Sequence, residues 1–416
     1  MQVFKFGGAS VKDANGVKNL VKVLKLVGYK NTLVVVSAMG KTTNALELVV
    51  QNYFENKAEL QSTLQEVKKY HNQILLDLFD DENHPAFKKT ASLFEELDAL
   101  LKVNKSPDYN FVYDQIVSYG ELISTTIVSE FLNESGLKNQ WTDARNLIKT
   151  NNYYRQARVN WDSTQALIST NLNKAVLNVT QGFLGSDDNN FNTTLGREGS
   201  DYTAAIIAYC LNAESVTIWK DVPGVLNADP RYFNHAQLLS NLSYREAIEL
   251  TFYGASVIHP KTLQPLQRKE IPLYVKSFLN PMQKGTAIAK NTSIQPLVPC
   301  FILKKNQILI SLSSLDFSFI VEDNISDIFA LLHQFKMKVE VIQNSAISFS
   351  VCIDNIYNKL EPLLRQLKSK FKVTCHENVS LYTIRHYNPQ AIAQIETGKT
   401  VLLKQLTPET IQIVTK

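Results

Sequence analysis

Cysteine is scarce and scattered: Cys210, Cys300, Cys352 and Cys375 lie far apart in apolar or mixed surroundings, and none belongs to a CxxC pair. That spacing gives no disulfide framework and predicts reduced, structural thiols. No uncharged apolar run is long enough to span a bilayer, and no basic-then-apolar leader precedes Val3-Phe4-Lys5-Phe6. The cytoplasm is therefore the expected compartment, with no membrane partner. Blocks of one charge are missing too. The 43 basic residues face 39 acidic ones for a formal charge of +4, so no nucleic-acid footprint is expected. Disorder lacks its signature, because 44% of residues are apolar and 20% charged. No metal-ligand pattern stands out, and 416 residues predict two or three domains rather than one core.

What is present is alternation. Short apolar runs at 2–6 and 32–36 bracket Val17, Leu20, Val21, Leu24 and Val27 at helical spacing, which predicts a strand, a helix and a parallel strand. From about 54 to 104 a helical insertion is predicted, one helix marked by Leu60, Leu64, Val67, Ile74 and Leu78 and the next opening near Pro85. Ile116, Ile123, Ile127 and Phe131 mark a helix that carries Glu121 and stops near Gly136. A strand at 175–179, a helix over about 200–211, a strand at 215–219, a capping box at Ser243 and Glu246 and a strand at 273–276 complete an α/β sheet with flanking helices. Gly285, Pro296 and Pro299 put a boundary near 280–300. Beyond it, residues 307–381 follow the βαββαβ order of a ferredoxin-like fold. A shorter copy starts at 380, passes a helix over 389–397 and ends in strands at 401–403 and 410–414.

Several turns carry residues suited to chemistry. The first strand runs into Gly7-Gly8-Ala9-Ser10, where glycines let backbone N–H groups approach an anion and Lys5 supplies positive charge; an ordinary strand-to-helix turn is the other reading. Gly40-Lys41-Thr42 imitates a P-loop, but that motif needs glycine at position 35, where Val stands. Ser37-Ala38-Met39-Gly40, ahead of a helix holding Thr43, gathers hydroxyls and free amides at a helix N-terminus, or simply caps it. The segment from Thr193 to Tyr202 places Arg197, Gly199, Ser200 and Asp201 at the mouth of an amphipathic helix. Arginine can grip a carboxylate bidentately there, although a capped helix with a surface Arg–Asp pair has the same residues.

Taken in order, Lys5-Phe6-Gly7-Gly8-Ala9-Ser10, Val35-Val36-Ser37-Ala38-Met39-Gly40, Tyr119-Gly120-Glu121, the run 196–202, Asp221-Val222-Pro223-Gly224-Val225, Ala228-Asp229-Pro230-Arg231 and Gly254-Ala255-Ser256-Val257-Ile258-His259-Pro260 resemble the aspartate kinase family over about residues 1–280. The resemblance implies a three-layer αβα amino-acid-kinase sandwich at 1–285. It implies a C-terminal ferredoxin-like ACT regulatory domain at 300–381 and a partial second ACT-like module at 380–416. The implied reaction uses ATP with Mg2+ to phosphorylate the side-chain carboxylate of L-aspartate, the first step towards lysine, threonine and methionine. By the same resemblance Lys5 and Asp201 are catalytic, and Ser37, Thr43, Glu121, Arg197, Gly199 and Ser200 bind the acceptor. Arg197 takes its α-carboxylate and Glu121 its α-ammonium. Lys5, Gly7, Gly8, Lys220, Asp221, Arg231 and Ser256 fall where the family meets the nucleotide. A homodimer or higher homo-oligomer, and lysine or threonine as an effector, are implied as well.

The chain departs from the family pattern at Ala9, Glu198, Lys220 and Ser256, where Thr, Gly, Thr and Lys are common. A weaker nucleotide pocket follows, with Lys220 or Lys261 as available substitutes. Before the first ACT helix the chain reads Glu322-Asp323-Asn324-Ile325 without the glycine that relatives often carry. Val341-Ile342-Gln343-Asn344-Ser345 resembles the effector-contacting strand and loop, and reads equally as a plain turn. Two alternatives stay open: a kinase for another small carboxylate such as glutamate, and a regulatory amino-acid-binding paralogue that has lost catalysis.

Overall fold

A computed structural model describes residues 1–255, 258–316 and 318–416. In chain order the first part holds β1 (Gln2–Phe6), α1 (Ala14–Val27), β2 (Thr32–Val36), α2 (Thr42–Glu55), α3 (Lys57–Leu78), α4 (Pro85–Val103), α5 (Tyr109–Glu134), β3 (Asn139–Thr142), α6 (Trp161–Asn171) and β4 (Leu177–Gln181). Then come β5 (Leu184–Ser186), β6 (Asn192–Thr194), α7 (Gly199–Leu211), β7 (Ser215–Lys220), β8 (Asn241–Ser243), α8 (Tyr244–Tyr253), α9 (Pro260–Arg268), β9 (Leu273–Ser277) and β10 (Thr286–Ala289). The C-terminal part is β11 (Cys300–Ser313), α10 (Glu322–Gln334), β12 (Lys338–Asn344), β13 (Ser348–Asp354), α11 (Leu360–Lys368), β14 (Lys372–Arg385), α12 (Pro389–Glu396), β15 (Val401–Leu406) and β16 (Thr410–Thr415).

Two compact units result: Met1–Val225 with Leu238–Ile248 and Val257–Gln295, and Leu226–Gln237 with Glu249–Ser256 and Pro296–Lys416. The first is built on an eight-stranded sheet ordered β3-β4-β2-β1-β7-β9-β10-β8. Its strands from β3 to β9 run parallel, and β10 turns antiparallel beside β9. Central parallel strands are covered on both faces, and accordingly β2 and β4 are buried at every residue. Even-numbered side chains such as Phe4, Phe6, Val34 and Val36 join one core with α1 to α5, the insertion helices included. Odd-numbered Lys5 therefore points to the other face, where α7 packs against β1, β2 and β7.

The second unit has one six-stranded sheet, β12-β13-β11-β14-β16-β15, antiparallel at every pairing. Both βαββ-type copies share it. Their spine is a pair of fourteen-residue strands, β11 and β14, whose pairing slips between Lys304 and Gln307 and again before Leu309. On one side of that slip Ile308, Ile310 and Leu312 face α10 and α11, and on the other Ile384 joins α12 through Ala391 and Ile395. The shorter copy thus completes its sheet with the first half of β11, which extends back to Cys300 rather than starting at 307.

Candidate active site

The site is assembled where β1 and β2 end side by side, Phe6 opposite Val36. Their two turns interlock. Gly40 N–H donates to the Gly8 carbonyl at 3.0 Å, and a Cβ on Gly8 would sit 2.8 Å from both the Ala38 and Gly40 carbonyl oxygens. Only glycine allows that approach. Helix α5 anchors the second turn from behind: Ser124 Oγ donates to the Ser37 carbonyl at 2.7 Å, and Ala38 N–H donates to Glu121 Oε1 at 3.3 Å. Gly120 lets the turn come that close, since a Cβ there would lie 3.1 Å from the Ala38 methyl and 3.3 Å from Leu46 and Thr42. Ser37 and Thr43 are left half-buried at the rim.

Charge gathers at the same strand ends. Lys5 Nζ lies 2.7 Å from Asp201 Oδ1, in the first turn of α7, with both side chains buried. Lys220 Nζ, from the end of β7, approaches Asp201 Oδ2 at 3.8 Å. Two ammonium groups thus converge on one carboxylate in a partly dry setting, which suits a polyphosphate. The Lys5 head stands over Gly7, where a Cβ would be 3.1 Å from Nζ.

Glu121 supplies the opposite sign. It is 2% exposed, and its Oε2 has no hydrogen-bond partner among the described residues. Burial pushes its carboxyl up to about 8, against the pull of the Ala38 N–H and the Lys5 charge. An unpaired buried carboxylate oxygen costs about 1–3 kcal/mol until a cation meets it.

Arg197 is exposed on a loop whose backbone is left-handed on both sides. Gly196 has φ +80°, and Glu198 takes the left-handed conformation at φ 52° as the residue before α7. Ser200 packs against Gly182, which has no room for a side chain, since a Cβ there would be 2.4 Å from that of Ser200. His259, capping α9, is held below its ordinary value first by burial, with the Glu198 carboxylate pulling the other way and Lys261 and Arg197 adding to the depression.

The structure thus brings together Lys5, Gly7, Gly8, Ser37, Asp201 and Lys220 around two strand ends, with Glu121 behind them. Asp221 is exposed in the turn after β7. Arg231 belongs to the second unit, where its guanidinium pairs with Asp229 at 2.6 Å. Ser256 lies outside the described residues.

Sequence reasoning passed over Asp114 and Arg155. Asp114 is fully buried in α5; burial pushes its carboxyl up to about 6, while hydrogen bonds from Thr194 and Arg155 pull it down. The signal was available: Asp114, Ser118, Glu121 and Thr125 recur at helical spacing, a polar stripe along a helix that is buried over most of its length.

Residues 1–277 match the amino acid kinase family. The chain is 32% identical to the lysine-sensitive aspartokinase 3 of Escherichia coli K12 across 83% of its own length and 76% of that protein's. It is 31% identical to the chloroplastic aspartokinase 1 of Arabidopsis thaliana across 83% of its own length, and spans 62% of that longer protein. Among solved structures, E. coli aspartokinase III in complex with aspartate and ADP (R-state) superposes with a TM-score of 0.81 at 28% identity, covering the whole of this chain and 96% of the other.

Proposed function

The chain belongs to the amino acid kinase family, among its aspartokinases, and from that premise we propose how its residues move the γ-phosphoryl group of ATP onto the side-chain carboxylate of L-aspartate. The observation that carries the proposal is the placing of opposite chemistries at neighbouring strand ends: the Lys5 and Lys220 ammonium groups converging on Asp201, and a buried Glu121 carboxyl whose Oε2 has no hydrogen-bond partner among the described residues. An amino acid and a polyphosphate satisfy both together.

The acceptor's α-ammonium pairs with Glu121 Oε2, and its α-carboxylate is gripped by Arg197. Ser37, Thr43 and the amides of Gly199 and Ser200 orient the side-chain carboxylate. That carboxylate is the nucleophile. An aspartate side chain has a pKa of about 3.9, so it is ionised at neutral pH and needs no general base. The nucleotide's phosphates lie on Gly7 and Gly8, and Lys5 offsets charge on the transferred oxygens while Asp201 fixes its ammonium. Lys220 adds a second cation where relatives commonly have Thr. Asp221, in the turn after β7, adds a further nucleotide contact. Magnesium, bound with the nucleotide, would offset the charge of its phosphates.

The second unit serves as the ACT regulatory region, in two modules sharing one sheet. Lysine is the effector we favour over threonine, by likeness to the lysine-sensitive E. coli relative. Its outer strands β12 and β15 each have one unpaired edge, and Phe319, Val321, Phe329 and Ile347 are exposed, which supports a homodimer. No helix among the described residues is long and apolar enough to cross a membrane, and the cytoplasm is the compartment we assign.

An ADP-release assay with aspartate and, separately, glutamate tests the proposal. Aspartate-dependent turnover is expected. Its absence would remove the kinase in favour of a sensor, and a preference for glutamate would reassign the acceptor.

A further inference from the structure

An α-amino acid presents its ammonium and carboxylate from a single carbon, so the protein groups that hold them must keep a fixed separation. Glu121 is on α5, in the rigid interior of the unit. Arg197 is on a surface loop, and something must tie that loop to α5.

Asp114 does so. It lies seven residues before Glu121, two helical turns or about 10 Å along the same buried helix. Its carboxylate accepts from Thr194 N–H at 2.8 Å and from Thr194 Oγ1 at 2.7 Å, three residues before Arg197. It also accepts from Arg155 N–H at 3.0 and 3.1 Å. The backbone of Arg155 is left-handed at φ 66°, and its carbonyl presses on Gly196, where a Cβ would be 3.1 Å away. Ala157 N–H closes the clamp on the Thr194 carbonyl at 2.9 Å. The segment entering Arg197 is thereby held from both sides. Arg155 is itself fixed, stacked 4.1 Å over the Tyr113 ring and ion-paired with Glu47 of α2 at 2.7 Å.

We propose that Asp114 is a positioning residue for the acceptor: it ties the Arg197 loop to the helix that carries Glu121, and so sets the separation of the two anchors. The inference rests on the roles given above to Arg197 and Glu121.

The test is steady-state kinetics of the full chain. Asp114→Asn keeps the shape but turns an amide toward N–H donors, and should raise the aspartate KM about tenfold while the ATP KM and kcat stay within about twofold. Placed in an Arg197→Ala background, the same change should add less than about twofold, because it acts through Arg197. Thr194→Val keeps the carboxylate and both amides and should raise the aspartate KM about threefold; it carries the test if Asp114→Asn does not fold. An unchanged aspartate KM, an equal rise in the ATP KM, or a full tenfold effect without Arg197 would each overturn the proposal. If Arg197→Ala alone leaves the aspartate KM unchanged, the anchor assignment itself falls, and this inference with it.

Discussion

Asp201 in the first unit and Glu340 in the second are each buried between two lysines, Lys5 with Lys220 and Lys304 with Lys338. The composition is the same and the placement is not. Glu340 sits within β12, at the slip in its pairing with β13, and Lys304 is in mid-strand on β11. The Lys5 cluster sits where parallel strands stop, beside glycine turns and the first turn of a helix. There the charge adjoins the Gly7-Gly8 turn and the N-terminal turn of α7. A buried lysine–carboxylate group is thus structural by default, and its position at the carboxyl ends of parallel strands is what marks a site.

The sharpest way to break this contrast is to remove the lysine from each cluster. Lys5→Met is expected to lower kcat about 100- to 1000-fold in the ADP-release assay. Lys304→Met should leave kcat alone and cost about 1.5–3 kcal/mol in a denaturant melt, by removing a charge-assisted hydrogen bond and leaving Glu340 to the exposed Lys338 alone. Equal loss of activity in both variants would erase the distinction.

Arg197→Ala and Glu121→Gln come next, each raising the aspartate KM about 30-fold with the ATP KM nearly unchanged. Glu121 also gives the first unit a pH signature. Its carboxyl is raised from 4.5 to about 8 in the folded chain, so the native state holds the extra proton. Its contribution to stability is full below about pH 4.5 and is lost as pH rises through about 8. Glu121→Gln should therefore melt higher than the parent above pH 8. An acceptor whose ammonium needs the ionised form should bind more tightly from pH 6 to 8 and release a proton, read by calorimetry in buffers of different ionisation heat. A flat profile would unseat Glu121 as the ammonium's partner.

The smallest effect concerns strain. Glu198→Gly should relieve the left-handed backbone at φ 52° and add about 0.5–1 kcal/mol of stability. No such gain would mean that contacts of the Glu198 side chain repay its backbone.

Much of this was legible in the sequence because periodicity reports burial. The helix at α5, its end before Gly136 and the Ser243 cap, which accepts from Glu246 N–H at 3.1 Å, all follow local rules. Elements whose reason lies elsewhere in the chain were not legible. Asn139-Gln140-Trp141-Thr142 has no apolar alternation and becomes β3 only because β4 offers an edge. Asn192-Thr193-Thr194 is polar yet buried, since Asp114, Gln115 and Thr150 satisfy it from remote positions. The antiparallel turn of β10 likewise depends on β9 and β8. Within the site, the motif residues announced themselves, whereas Asp114 works through a partner 80 positions away.

The shared strands β11 and β14 bear on inheritance. Two modules that own separate sheets can be lost or exchanged one at a time. Here, a premature stop ahead of β16 would bare the half of β14 that pairs with it, from Ser380 to Arg385, and that strand also lines the neighbouring module. A frameshift near the 3′ end of the coding sequence should therefore act on both modules together, and recombination that swaps one alone should yield insoluble chains.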